Sequence, residues 1–175
     1  KKVSFNSPKD SIDAGIDMVH QHFKVIEVMT AAENVLLGQK GGILFKKEEK
    51  KKIAEISERY HLQVELDKVV NDMSVGEKQN LEILKVLYRG AKILILDEPT
   101  AVLTPQETEK LFQIMRRMKE NGCAVLFISH KMNEVMEITD RVTVLRKGTT
   151  IKTLNTKETN PQELTELMVG HKMDL

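Results

Sequence analysis

The second half of the chain alternates short apolar runs with amphipathic helical stretches, and this alternation constrains the fold more than any other feature. The apolar runs cover residues 93–96, 124–128 and 142–145, and helical patterns at 105–120 and 133–138 separate them. A strand, helix, strand, helix, strand order is typical of a parallel sheet covered by crossover helices. The sequence therefore predicts an α/β fold.

Other stretches predict further elements. They are a strand at 15–20, a helical region from 30 to 89 that includes a charged helix at 46–60, a hairpin with arms at 141–145 and 149–153, and a last helix at 161–169. The lysine and glutamate run at 46–52 is interpreted as a solvated helix face, with a membrane-surface patch as the alternative.

Composition excludes several classes of protein. The chain has 175 residues, which suits one domain, and its 27 basic and 26 acidic residues give no electrostatic case for nucleic-acid binding. No apolar run approaches the roughly 20 residues of a membrane helix. Cys123 is the only cysteine, so no internal disulfide can form, and a reducing cytosol is favoured. The N-terminus has neither an initiator Met nor an apolar signal region, so we expect the gene to begin further upstream.

Two carboxylates follow the apolar run at 93–96. Asp97 and Glu98 come at the end of this predicted strand, and ligands of open parallel sheets bind beyond the carboxyl ends of the strands. An aspartate there suits a hydrated magnesium ion, and the next carboxylate suits a general base for an attacking water. The alternative is two acids that merely open a loop.

A histidine is predicted at the same edge of the sheet. His130 comes two residues after the apolar run at 124–128, so it is expected near Asp97 and Glu98. An imidazole there suits positioning of the attacking water or a phosphate oxygen. Alone, His130 would be an ordinary residue at a strand end.

A helix is predicted to begin after Ser74. Ser74 and Glu77 have the spacing of a capping box, and the next residues carry apolar side chains at helical spacing. A capped helix needs no ligand. The same helix N-terminus, with the small Gly76, also offers backbone N–H groups and a positive dipole end to a phosphate.

Taken together, these motifs resemble those of ABC ATPases. Ser74-Val75-Gly76, then 94–98 and then Ser129-His130 match the signature, Walker B and switch-histidine series in order and spacing. Residues 15–23 resemble the Q-loop region, with Gln21 at the glutamine position. Further details, at 20–23, 88–91, 98–107 and 142–148, are similar to the ATP-binding subunits of nucleoside and simple-sugar (ribose and galactose type) importers. The resemblance covers essentially the whole chain.

The resemblance implies the architecture of a P-loop NTPase of the ABC type, with a mostly parallel sheet and an inserted α-helical signature subdomain. Residues 1–29 would be part of a RecA-like core with the Q-loop. Residues 30–90 would be the signature subdomain. Residues 91–175 would complete the core with Walker B, the switch histidine, a hairpin and the last helix.

The resemblance also implies the roles of individual residues toward ATP and Mg²⁺. Asp97 would hold Mg²⁺ through water, Glu98 would be the general base, and His130 would orient the γ-phosphate and the attacking water. Gln21 would contact and sense the metal ion. The segment Ser74-Val75-Gly76-Glu77 would contact ATP held by the phosphate loop of a second ATPase domain.

Some features depart from the family pattern. No glycine begins a G-x-x-x-x-G-K-[ST] phosphate loop, so the chain is expected to be N-terminally truncated and inactive alone. Val75, Glu77 and Asn80 replace the usual glycine, glutamine and arginine, and Glu77 is expected to bring a carboxylate near a phosphate. Thr104 stands in place of an aspartate, although Thr104-Pro105 also fits a helix N-cap.

The partners that the resemblance implies are a second ABC ATPase domain, paired head to tail or fused in tandem, transmembrane permease subunits and, indirectly, a solute-binding protein. The expected location is the cytoplasmic face of the cell membrane. Two alternatives stay open: a soluble ABC ATPase outside transport, and a non-enzymatic half-motor that pairs with a complete subunit.

Overall fold

Three parallel strands form a sheet in the computed structural model, which describes residues 2–37 and 47–170. They are β1 (Ile16–Val19), β2 (Ile93–Asp97) and β3 (Ala124–Ile128), in the order β1-β2-β3. The parallel pairing predicted from the alternating pattern is confirmed for β2 and β3, and the separately predicted strand at 15–20 joins them as β1.

The register of the sheet brings the carboxyl ends of the strands to one edge. Val19 of β1 pairs with Leu96 of β2, and Asp97 pairs with Ile128 of β3. Leu94 and Leu96 are fully buried in the central strand, as expected of a parallel strand with covered faces. Residues that follow each strand therefore leave the sheet at the same edge.

Two compact units divide the chain, at 1–128 and 129–175. The helices of the first unit are α1 (Pro8–Asp13), α2 (Ala31–Leu36), α3 (Lys47–Arg59), a short 3₁₀ helix (Val70–Asp72), α4 (Val75–Tyr88) and α5 (Pro105–Glu120). Four of them begin with a capping box. In this motif a Ser or Thr side chain accepts from the backbone N–H three residues later, and the acidic side chain of that later residue accepts from the backbone N–H of the Ser or Thr. The N-cap residues are Ser7, Thr30, Ser74 and Thr104.

Helix α5 packs its apolar face on β3. Its buried residues recur at helical spacing: Leu111, Phe112, Ile114, Met115 and Met118. The ring of Phe112 meets that of Phe127 edge to face, with centroids 6.1 Å apart. This contact fixes α5 against the sheet and so sets where its N-terminus lies.

The second unit contains α6 (Met132–Ile138), β4 (Arg141–Arg146), β5 (Thr149–Asn155), a short 3₁₀ helix (Thr156–Glu158) and α7 (Pro161–Val169). Strands β4 and β5 are antiparallel, which confirms the predicted hairpin. Both Lys147 and Gly148 at its turn have positive φ, as a two-residue hairpin loop of this kind requires.

One assignment from the alternating pattern is wrong. The run at 142–145 was expected to add a strand to the parallel sheet, but β4 pairs with β5 in a separate two-stranded sheet. The close turn lets β4 pair with its immediate neighbour in the chain, which costs little loop entropy. The predicted helix at 46–60 is observed as α3, and residue 46 lies outside the described residues.

Candidate functional site

Asp97 and Glu98 lie at the carboxyl end of the central strand, as predicted. Asp97 is the last residue of β2, and the N–H of Glu98 donates to the carbonyl of Ile128 at 2.9 Å. Glu98 has a φ of +46°, which is uncommon for a residue with a side chain. Strained backbone of this kind clusters at functional sites. The strand end is thus a fixed, strained turn that carries two carboxylates.

Gln21 leaves the same edge of the sheet from the neighbouring strand. It comes two residues after Val19, which pairs with Leu96, so its backbone begins beside the strand that carries Asp97. Gln21 is exposed and lines an open groove of about 400 Å³ together with Val75. The structure therefore brings the predicted Q-loop and signature residues to one groove.

The N-terminus of α4 has the predicted capping box. Ser74 Oγ accepts from the Glu77 N–H at 3.2 Å, and Glu77 Oε2 accepts from the Ser74 N–H at 2.7 Å. Lys68 Nζ lies 2.7 Å from Glu77 Oε1. This lysine, and then the Ser74 N–H, hold the pKa of the Glu77 carboxyl below its ordinary value. The charge of Glu77 is therefore compensated within the chain.

A second carboxylate, not singled out in the sequence, reaches the start of α4. Glu107 belongs to the capping box of α5, and hydrogen bonds from the backbone N–H and the hydroxyl of Thr104, with a further one from the Gly76 N–H, lower its pKa. A Cβ added to Gly76 would lie 2.6 Å from Glu107 Oε1, so this contact requires glycine or a shift of the carboxylate. The Thr104-x-x-Glu107 spacing was the available sequence signal.

Ser74, Gly76 and Glu77 also line a smaller groove of about 220 Å³, together with Glu107. This groove is polar at the helix N-terminus. Asp97 and Glu98 line neither groove. The signature segment thus shares one groove with Gln21 and the other with Glu107, and neither groove includes the carboxylates at the end of β2.

His130 belongs to the second unit, where it is exposed. It follows Ser129, whose Oγ accepts from the Lys131 N–H at 3.0 Å. The expected approach of His130 to the carboxylates of the first unit stays a prediction.

The donor set at the sheet edge fits Mg²⁺. Asp97 offers carboxylate oxygens and Gln21 an amide oxygen, both from the ends of adjacent strands, and Mg²⁺ prefers a few hard oxygen ligands alongside water. Mg²⁺ needs no sulfur ligand.

Comparison with known proteins decides the family. The model of the ABC transporter family matches residues 2–101, more than half of the chain. The chain belongs to the ABC transporter family.

Among curated ABC relatives, the nucleoside import ATP-binding protein NupA of Lactococcus lactis is 48% identical, and the alignment covers 99% of this chain and 35% of that protein. The guanosine import ATP-binding protein NupO of Bacillus subtilis is 50% identical over 99% of this chain and 34% of its own length. The ribose import ATP-binding protein RbsA of Hahella chejuensis is 43% identical, covering 98% and 35%. The chain spans about a third of these relatives.

The fold is also that of the ABC ATPases. A nucleotide-free ATP-binding cassette from an ABC transporter superposes with a TM-score of 0.79 at 23% identity, covering 95% of this chain and 70% of that structure. The ADP conformation of the cassette MJ1267 gives a TM-score of 0.78. In the part of this ABC chain that the structure describes, no helix has the length and apolar character needed to span a bilayer.

Proposed function

We propose that this chain is part of the ATP-hydrolysing motor subunit of an importer for nucleosides or simple sugars. The observation that carries the proposal is the end of β2, where Asp97 and the strained Glu98 stand on a fixed turn of an ABC-type sheet. The import role rests on relatives named for nucleoside, guanosine and ribose import at 43–50% identity.

The proposed chemistry divides between the two carboxylates. Glu98 accepts a proton from the water that attacks the γ-phosphate, and its backbone hydrogen bond to Ile128 keeps the side chain at a defined place. Asp97, through water, and Gln21 would hold Mg²⁺, which would neutralise charge that develops on the phosphates. His130 orients the γ-phosphate and the water.

The signature segment acts on a second nucleotide. Ser74, Val75 and Gly76 stand at the N-terminus of α4, where the positive end of the helix dipole favours a phosphate. In a head-to-tail pair of motor domains, separate or fused in tandem, this end of α4 closes on ATP held by the partner. Pairing of Glu77 with Lys68 offsets part of the repulsion that its carboxylate would exert on that ATP.

The phosphate loop of the intact protein is proposed to lie upstream of this chain. Strand β3 supports this, because it is an outer strand of the described sheet and its Leu126 and Ile128 are 50% and 47% exposed. Side chains project from the faces of a sheet, and parallel sheets are ordinarily covered on both faces, so the bare face of β3 fits a further covering segment and its unpaired edge fits a further strand. Without that segment the chain is proposed to be inactive.

In the assembled importer the motor lies at the cytoplasmic face of the membrane against permease subunits, and a solute-binding protein delivers the solute. The proposal is tested by deleting the intact gene and measuring uptake of labelled guanosine and labelled ribose. We expect uptake of one of them to fall, and to recover with the unsubstituted gene but not with Glu98→Gln. Unchanged uptake of both, with the protein found on ribosomes or DNA, would favour a soluble ABC ATPase instead.

A further inference from the structure

Lys24 lies three residues after Gln21, and side chains of α4 hold both polar groups of its backbone. Its N–H donates to Glu82 Oε2 at 3.2 Å, and its carbonyl accepts from Lys85 Nζ at 2.5 Å. Lys85 Nζ also lies 2.7 Å from Glu82 Oε1. Residues 23–26 belong to no helix or strand, so these side chains replace the partners that a sheet would supply. We name Glu82 and Lys85 the backbone clamp.

The backbone clamp is unusual because its carboxylate is buried. Glu82 is 5% exposed, and the Lys85 side chain is 16% exposed. A buried charge is tolerated only when it is paired and hydrogen-bonded, and an aliphatic pair would fill the same space without that requirement. Packing alone therefore does not explain why these two positions are charged. Their hydrogen bonds to the Lys24 backbone do explain it.

Gln21 is thus anchored on both sides. Val19 is paired with Leu96 in the sheet, and Lys24 is held on α4. An extended chain spans at most about 3.6 Å per residue, so Gln21 stays within roughly 7 Å of Val19 and 11 Å of Lys24. The bridge between the anchors, residues 20–23, is only four residues long.

Two other ion pairs extend the attachment along α4. Arg89 Nη2 lies 2.8 Å from Asp17 Oδ2 at the C-terminal end of the helix. Lys78 Nζ lies 3.3 Å from Glu27 Oε1 near its N-terminal end. The chain from 17 to 27 therefore follows α4 toward the signature segment, and the backbone clamp holds the part of it closest to Gln21.

We infer that Glu82 is a positioning residue for Gln21. Through Lys24 and Lys85, Glu82 fixes the separation between the Q-loop and the N-terminus of α4, so the Gln21 and Val75 sides of their shared groove keep a constant spacing. The inference rests on the proposed function, in which Gln21 contacts the metal ion. Loosening the clamp then lowers turnover by misplacing Gln21, with little effect on ATP affinity.

The test is a double-mutant cycle in the full-length protein, measured as kcat and KM for magnesium-dependent ATP hydrolysis. The variants are Glu82→Gln, Gln21→Ala and the two combined. Glu109→Gln is the matched control, because it removes the charge of an exposed ion pair with Arg116. We expect Glu82→Gln to lower kcat about tenfold with KM within twofold, and to have less than a twofold effect once Gln21 is Ala.

Equal losses of kcat in both backgrounds would mean that Glu82 acts on structure alone, and would overturn the inference. So would a Glu82→Gln variant as active as Glu109→Gln. Lys85→Met opens the clamp from its other side and should give the same pattern if Glu82→Gln folds poorly.

If the unsubstituted full-length protein does not hydrolyse ATP, the proposed function fails first. Amide hydrogen exchange of a peptide covering 20–27 then tests the clamp by itself. Exchange at Lys24 should be at least threefold faster in Glu82→Ala than in Glu109→Gln. Unchanged exchange would overturn the inference independently of activity.

Discussion

Replacing Asn34 by alanine should destabilise the fold around the segment that follows Gln21. Asn34 of α2 is 1% exposed, and its side chain makes three hydrogen bonds. Oδ1 accepts from the Ile26 N–H at 2.7 Å, and Nδ2 donates to the carbonyls of Ile26 and Thr30, each at 3.0 Å. The substitution leaves these backbone groups without that partner.

The magnitude follows from those bonds. Each contributes about 1 kcal/mol net, which gives about 3 kcal/mol for the three. Ile26 is 38% exposed, so water can replace part of the lost hydrogen bonding. The expected decrease in the free energy of unfolding is therefore about 2–3 kcal/mol. For a chain of this size, 2–3 kcal/mol corresponds to a fall in Tm of roughly 4–12 °C.

Urea and thermal unfolding followed by circular dichroism measure this loss. The matched control is Asn121→Ala, because Asn121 is exposed and makes one side-chain hydrogen bond, to the Arg117 carbonyl at 2.8 Å. Its effect should stay within about 0.5 kcal/mol. A loss below about 1 kcal/mol for Asn34→Ala, or one equal to the control, would refute the reasoning.

Two further predictions concern the helix N-termini. Thr104 caps the N-terminus of α5, because its Oγ1 accepts from the Glu107 N–H at 3.3 Å. Thr104→Ala removes this cap and should lower the free energy of unfolding in urea by about 1 kcal/mol. The pKa of Glu77 is held below its ordinary 4.5 by Lys68. Its stabilisation is therefore present above pH 4.5 and lost as pH falls through the lower folded pKa. Glu77→Gln should unfold at a lower temperature than the parent at about pH 6, and this difference should shrink as the pH is lowered below 4.5.

Features that depend on neighbouring residues in the chain were predictable. The capping box of Ser74 and Glu77 could be read from spacing, because a helix N-terminus leaves N–H groups that such residues satisfy. The carboxylates after β2 could be placed because parallel strands end at one edge. The run at 142–145 was misplaced, because a short apolar run is the same in a hairpin arm and in a parallel strand.

Contacts between distant residues could not be predicted. Glu107 reaches Gly76 only because the fold brings the N-termini of α4 and α5 together, and the ion pair of Lys68 with Glu77 depends on the path of the chain before α4. The hold of Glu82 on Lys24 joins residues that are 58 positions apart. Local periodicity carries no information about such pairs. Only the structure shows that Lys68 compensates the charge of Glu77 and that α4 holds the chain after Gln21.

The central claim is that the carboxylates at the end of β2 hydrolyse ATP in the intact protein. It is tested most directly by magnesium-dependent ATP hydrolysis of the protein extended upstream to include the proposed phosphate loop, beside the same protein with Glu98→Gln and the 175-residue chain alone. The account predicts hydrolysis by the extended protein, a loss of at least about 100-fold in Glu98→Gln, and none by the short chain. A folded but inactive extended protein would support the non-enzymatic half-motor, and full activity of Glu98→Gln or of the short chain would contradict the account.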